Sequence, residues 1–131
     1  MTYLVDSDRV ADYHKGRLDA IDLFARREPD GRAISLITYG EIYEGIATGR
    51  DRQRHEQSFF AFLRFVSVLP KNRAIMRRFA EVRGDLRRAG QLIGDFDLLI
   101  AATALHHRHT LVTRNRAHFQ RIPHLELYPA G

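Results

Sequence analysis

Asp95-Phe96-Asp97-Leu98-Leu99-Ile100-Ala101-Ala102-Thr103-Ala104-Leu105-His106-His107, followed two residues later by Thr110-Leu111-Val112-Thr113, is the stretch on which the fold turns. Its first part is a run of good helix formers that is apolar nearly all round, which predicts a buried helix from about Phe96 to His107. Its second part is short, apolar and flanked by polar residues, as a buried strand is. A buried helix leading straight into a buried strand is half of a parallel crossover unit.

Working outward, the same alternation recurs. Tyr3-Leu4-Val5, ending on Asp6, and Ala33-Ile34-Ser35-Leu36-Ile37 are two more short apolar runs followed by helix-start signals. Between them, Ile21, Leu23, Phe24 and Ala25 suit a helix closed by Glu28-Pro29-Asp30-Gly31. Thr38-Tyr39-Gly40-Glu41 has the form of a capping box, opening a helix that carries Ile42, Tyr43 and Ile46. After Gly49-Arg50-Asp51, a further helix places His55, Phe59, Phe62, Leu63 and Val66 on one face, and Val66 to Leu69 reads as a third strand stopped by Pro70. From Lys71 to Ala89, Ile75, Phe79, Val82 and Leu86 recur at helical spacing, and Gly90 supplies the end signal. Leu125 to Tyr128 reads as an edge strand, and Pro129-Ala130-Gly131 as a frayed end. The expected architecture is α/β: a single domain over residues 1–131, a three-layer α/β/α sandwich with a central, mostly parallel sheet.

Composition narrows the class. The 131 residues include no cysteine, which excludes disulfides and thiolate zinc sites and fits a reducing cytoplasm. The start of the chain lacks the pattern of a signal peptide, and the longest apolar stretch, Leu98 to Leu105, is too short to cross a bilayer. A soluble, cytoplasmic protein without a membrane partner is expected. The net charge of +5 and a pI near 10.1 favour a polyanionic partner.

In a parallel sheet, ligands sit beyond the carboxyl ends of the strands. Asp6 ends the first strand, Glu41 lies one helical turn past the second, and Asp95 and Asp97 open the buried helix. Asn115 lies just past the strand ending at Thr113. Carboxylates crowded together repel unless a cation sits among them, and oxygen-only ligands suit Mg²⁺ or Mn²⁺. One or two such ions could orient a water and stabilise charge on a phosphodiester.

Each acid also has a structural alternative. Asp6 could cap a helix beginning near Arg9, Glu41 could be the reciprocal member of the Thr38 box, and Asp95 and Asp97 could cap the buried helix and complement its dipole. Asp97 tells most, because a lone carboxylate on a helix with little solvent-facing surface is costly unless paired, capped or metal-bound. From Arg64 to Gly90, eight basic residues face only Glu81 and Asp85, which suits phosphate binding or a solvated helix face. His106, His107 and His109 lack the spacing of helical zinc ligands and read as structural.

These landmarks resemble the PIN-domain family, specifically the VapC-type toxin ribonucleases of toxin–antitoxin pairs. The similarity rests on Tyr3-Leu4-Val5-Asp6-Ser7-Asp8, Ser35-Leu36-Ile37-Thr38-Tyr39-Gly40-Glu41, Ile93-Gly94-Asp95-Phe96-Asp97-Leu98-Leu99-Ile100-Ala101-Ala102 and Thr110-Leu111-Val112-Thr113-Arg114-Asn115, with Phe119 following. The resemblance implies Mg²⁺- or Mn²⁺-dependent RNA cleavage and inhibition by a VapB-like antitoxin. It also implies homodimers that bind operator DNA as a toxin–antitoxin complex. It makes Asp6, Glu41 and Asp97 the catalytic and metal-holding acids, with Ser7 as polar support beside Asp6; from the residues themselves Asp95 is a candidate fourth metal ligand, and Thr113 and Asn115 are candidate polar supports. Arg77, Arg83, Arg87 and Arg114 are the arginines expected to meet RNA. Where many relatives carry a further acid, this chain has Asn115 and His118.

Two rivals remain at this level. One is a haloacid-dehalogenase-type phosphatase using Asp6 as nucleophile and Asp8 as acid/base. The other is a binding module with a catalytically weak acidic pocket. The apolar region from Glu41 to Val66, with Phe59 and Phe62, is the expected antitoxin groove.

Overall fold

A computed structural model describes residues 2–16 and 31–129. The helix expected over Ile21–Ala25 and the fray expected at Ala130-Gly131 lie outside the described residues. In chain order the elements are β1 (Thr2–Val5), α1 (Ser7–His14), β2 (Gly31–Ser35), α2 (Leu36–Thr48), α3 (Arg52–Phe62), a 3₁₀ turn (Leu63–Phe65), β3 (Ser67–Leu69), α4 (Arg73–Arg88), α5 (Asp95–His107), β4 (Thr110–Val112) and α6 (Arg116–Phe119). The four strands form one sheet in the order β3-β2-β1-β4, and every pair is parallel.

Strand alternation builds the layers. Successive side chains of a strand face opposite ways, so Leu4, Ala33 and Leu111 enter one core cluster while Val5 and Ile34 enter another. The first cluster is closed by Leu86 of α4, Leu98, Ile100, Ala101 and Ala104 of α5, and Phe119 of α6. The second is closed by Val10 of α1, Ile46 of α2, and Phe59 and Phe62 of α3. Helices therefore cover both faces, and the α/β/α sandwich read from the sequence is the fold observed.

Local signals set most boundaries. Asn72 caps α4 by accepting from the Ile75 N–H, and Gly90 ends it at a φ of +67°, where Gln91 N–H reaches back to the Leu86 carbonyl at 2.8 Å. That closing bond belongs to a left-handed C-terminal cap, which glycine adopts without a Cβ penalty. Past β3, Lys71 Nζ donates to Ser35 Oγ at 2.6 Å and to Thr103 Oγ1 at 2.7 Å, tying β2 to α5. Burial lowers the Lys71 ammonium to about 8. The expected edge strand at Leu125–Tyr128 reduces to one parallel bridge, Leu111 to Leu127.

Three expectations change. β2 ends at Ser35 rather than Ile37, because Ser35 Oγ accepts the Ile37 N–H at 3.1 Å and caps α2 three residues earlier than Thr38 would. Thr38 is therefore inside the helix and fully buried, and the Thr38–Glu41 capping box does not form. Second, α5 is buried over Leu98 and Ile100–Ala104 but open at its start, where Phe96 is 58% exposed. Third, Phe59 and Phe62 point inward and pack with Tyr13, His14 and Tyr39, so they cannot line a surface groove. The exposed aromatics of that region are Phe60 and Phe65.

Replacing fully buried Phe59 by alanine is expected to cost about 3–5 kcal/mol. Phe65→Ala, at a side chain 65% exposed, is expected to stay within about 0.5 kcal/mol of the parent. Urea unfolding of the two variants checks this, and equal losses would contradict the inward orientation of Phe59.

Candidate active site

The site is built at the carboxyl ends of three neighbouring strands. Asp6 follows β1, and its backbone N–H still donates to the Val112 carbonyl of β4 at 2.9 Å, so the ladder fixes where it stands. Its side chain is 4% exposed and both oxygens are engaged. Oδ1 caps α1 by accepting the Ser7 N–H at 2.7 Å, and Oδ2 accepts the Thr113 hydroxyl at 2.7 Å. The capping role read from the sequence is thus present, with α1 starting at Ser7 instead of near Arg9.

From Asp6 the contacts run in two directions. Towards β2, Ser7 Oγ donates to Glu41 Oε1 at 2.6 Å and lies 3.1 Å from Thr38 Oγ1. Towards β4, Thr113 Oγ1 accepts the Asn115 N–H at 3.0 Å, and Asn115 Nδ2 donates to Asp97 Oδ2 at 3.3 Å. Asn115 Nδ2 also meets His118 Nδ1 at 2.9 Å, and that ring nitrogen is 3.7 Å from Asp97 Oδ2. Glu41, Asp6 and Asp97 are therefore strung on one line of polar contacts, with Ser7, Thr113 and Asn115 as the links.

The electrostatics are unfavourable for an isolated charge. Burial, reinforced by the neighbouring Asp8 carboxylate, raises Asp6 to about 7 against the opposing hydrogen bonds from Thr113 and Ser7, and Asp97 adds to the rise. Burial likewise raises Asp8, partly offset by the Arg114 N–H and guanidinium. Among the described residues, no group of three His, Asp or Glu side chains closes tightly enough to hold a metal ion. The acids form an open line, not a cage.

Other predicted residues fall elsewhere. Asp95 is 59% exposed and accepts Arg83 Nε at 2.9 Å, so it pairs with α4 rather than with the other acids. Asp97 has a side chain 27% exposed, so depth within a buried helix does not explain it; Asn115 and His118 are its partners. Arg77 and Arg87 are exposed on α4. Arg114 is committed to α1, with Nε 2.8 Å from Asp12 Oδ2 and Nη2 3.2 Å from Asp12 Oδ1. Sequence reasoning gave Thr38 to a cap and passed over Asp12. The signal was the i, i+4 spacing of Asp8 and Asp12, which places both on one face of α1. The rings of His106, His107 and His109 pack on one another.

Comparison with known proteins agrees with this fold. A PIN domain family model matches residues 2–125. The chain is 33% identical to Ribonuclease VapC1 of Methanocaldococcus jannaschii over 119 residues, covering 91% of this chain and 79% of that one. It is 33% identical to Ribonuclease VapC2 of Rickettsia felis over 95 residues, covering 72% of this chain and 71% of that one. Among solved structures, VapBC2 from Rickettsia felis bound to a promoter DNA fragment superposes with a TM-score of 0.93 at 26% identity over the full length of both chains. VapBC-1 from nontypeable Haemophilus influenzae gives 0.87 at 27% identity, covering 98% and 97%.

Asp6→Asn keeps the Oδ1 cap and removes the charge, its amide nitrogen donating to Thr113 Oγ1 where the carboxylate had accepted from it. With the folded pKa raised from 3.8 to about 7, the stability tied to Asp6 is full below the unfolded pKa and is lost as pH rises through the folded one. In chelator, Asp6→Asn should therefore be the more stable protein above pH 7, by roughly 1–4 kcal/mol, with the gap closing towards pH 4. Urea midpoints across that range decide it; a gap independent of pH would remove the charge as its cause.

Proposed function

The chain belongs to the PIN-domain family, in its VapC-type branch, and on that premise we propose that it is a metal-dependent endoribonuclease, the toxin of a toxin–antitoxin pair. The observation that carries this reading is the line of Glu41, Asp6 and Asp97 across the ends of β2, β1 and β4, centred on a buried carboxylate opposed by its neighbours. A divalent cation would remove that opposition. Mg²⁺ and Mn²⁺ fit best, because Mg²⁺ keeps several waters and binds through one or two carboxylates together with phosphate oxygens. An open line of acids suits that mode. Asp6 and Asp97 would hold the ion with Glu41 beside them, while Asp95 stays with Arg83.

When bound, the ion supplies positive charge for the phosphodiester oxygens and makes a water more acidic. The chain's own residues do the rest. Asp6 is held on both oxygens and cannot swing away from the strand end. Ser7 orients Glu41, and Asn115 orients Asp97 without adding a negative charge. The exposed Arg77 and Arg87 offer cations to an RNA backbone. The solved VapBC complexes support a VapB-like antitoxin and operator DNA, met through the toxin–antitoxin complex, as partners; a homodimer is proposed from the family resemblance alone. The proposed setting is the cytoplasm; among the described residues, no helix is long and apolar enough to cross a membrane.

The phosphatase rival loses its footing. Its acid/base would be Asp8, whose Oδ1 is buried and whose Oδ2 is turned to the Arg114 backbone N–H at 2.9 Å.

Purified protein is expected to cut RNA with Mn²⁺ or Mg²⁺ and to stop in EDTA. Asp97→Ala should reduce cleavage by more than about 100-fold, since loss of residues that merely support metal ligands already costs about 10–100-fold. RNA binding in chelator should change little. Undiminished cleavage by Asp97→Ala would sink the site assignment. Inert protein without a Mn²⁺-dependent thermal shift would favour the binding module.

A further inference from the structure

Residue 114 is gripped at two points by one helix. Asp8 and Asp12 stand one turn apart on α1. Asp8 Oδ2 accepts the Arg114 backbone N–H at 2.9 Å and lies 3.4 Å from Thr113 Oγ1. Asp12, 1% exposed, takes the Arg114 guanidinium through Nε at 2.8 Å and Nη2 at 3.2 Å, and Arg9 Nη1 joins it at 3.2 Å. Two-point contacts between a guanidinium and a carboxylate fix orientation as well as distance. Asp8 Oδ1 is buried without a hydrogen-bond partner, so Oδ2 anchors this carboxylate.

The residues flanking Arg114 belong to the site. Thr113 donates to Asp6 on one side, and Asn115 donates to Asp97 on the other. The segment between them has left β4 and begins α6 only at Arg116, so no ladder holds it. Its grip on α1 holds it instead.

We propose that Asp8, Asp12 and Arg114 form a clamp that sets the position of the 113–115 segment and so the spacing of Asp6 and Asp97, acting as positioning residues for RNA cleavage. The proposal rests on the ribonuclease reading. It assigns Arg114 to the protein's own scaffold instead of to an RNA phosphate. It also gives Asp8 work that an uncharged acceptor could do, because its decisive contact is with a backbone N–H.

The test compares Arg114→Gln, Arg114→Lys, Asp8→Ala and Asp8→Asn with the parent by three readouts. These are hydrogen–deuterium exchange of a peptide spanning 113–119 in metal-free protein, RNA affinity in chelator across salt concentrations, and kcat and KM with Mn²⁺. Arg114→Gln and Asp8→Ala should exchange several-fold faster in that peptide, with 41–62 unchanged. Their kcat should fall about 10–100-fold, as for lost outer supports of a metal site, while KM and RNA affinity hold. Asp8→Asn should restore both exchange and kcat, and Arg114→Lys should lie between.

A phosphate contact at Arg114 would look different. Affinity would weaken in Arg114→Gln, its salt slope would drop by about one, and kcat and exchange would hold; that result overturns the clamp. Unchanged exchange in Arg114→Gln and Asp8→Ala overturns it as well. Should the parent protein cleave no RNA, the ribonuclease reading fails, and the exchange of 113–119 alone decides whether α1 holds the segment.

Discussion

A carboxylate buried at the end of a central strand must be satisfied from its surroundings, and Asp6 imposes that demand on everything near it. Leaving such a group without hydrogen bonds costs several kcal/mol, so neighbouring elements are arranged to supply them. The Ser7 N–H does so by starting a helix there, and Thr113 does so from the neighbouring strand end. The backbone N–H of Asp6 completes the β1–β4 ladder at Val112. Those three bonds bring β1, α1 and β4 to one point, and the remaining polar links spread from it. The same burial that demands hydrogen bonds also opposes ionisation, with Asp8 adding to the opposition. Structure and chemistry here share one cause.

The frame of the fold was legible because periodicity reports burial directly. Leu4 and Val5 send side chains to opposite cores, as a two-sided sheet requires, and Ile75 and Leu86 face inward from α4 as their spacing says. Ends of elements were harder to read. Leu36-Ile37 is as β-prone as Ala33-Ile34, and nothing local reveals that Ser35 turns its hydroxyl back to cap a helix. That single cap moved Thr38 from a helix start into the interior and left Glu41 answering to Ser7. Phe59 and Phe62 were identified as apolar, but a pattern cannot separate an apolar face turned to the sheet from one awaiting a partner.

Within the candidate site, residues on regular elements were easier to find than those whose importance comes from pairing. Asp6, Glu41 and Asp97 stand at predictable topological positions. Asp95 stands at one too, yet Arg83 draws it towards α4. Arg114 looked like a free cation beside the site until Asp12, more than one hundred residues away in sequence, was seen to occupy its fork. Long-range pairs of this kind leave no periodic trace, and charge counting treats each partner as available. The basic character that remains open to an anionic ligand is therefore smaller than the count over Arg64–Gly90 suggests, since Arg83 and Arg88 are paired with Asp95 and Asp85.

Asn115 is an amide beside the carboxylate of Asp97, and its setting gives that choice a physical sense. An aspartate at 115 would face Asp97 as a second negative charge, in a neighbourhood where Asp6 and Asp8 already oppose each other. An amide instead donates to Asp97 and meets the His118 ring with the same nitrogen. It therefore holds the carboxylate in place at no electrostatic cost. Asp6 is the buried carboxylate at the β1 end of the line, while Asp97 is held by the Asn115 amide. On the metal-dependent reading, a divalent ion at this mouth would meet Asp6 as its buried contact and Asp97 as the one nearer to solvent.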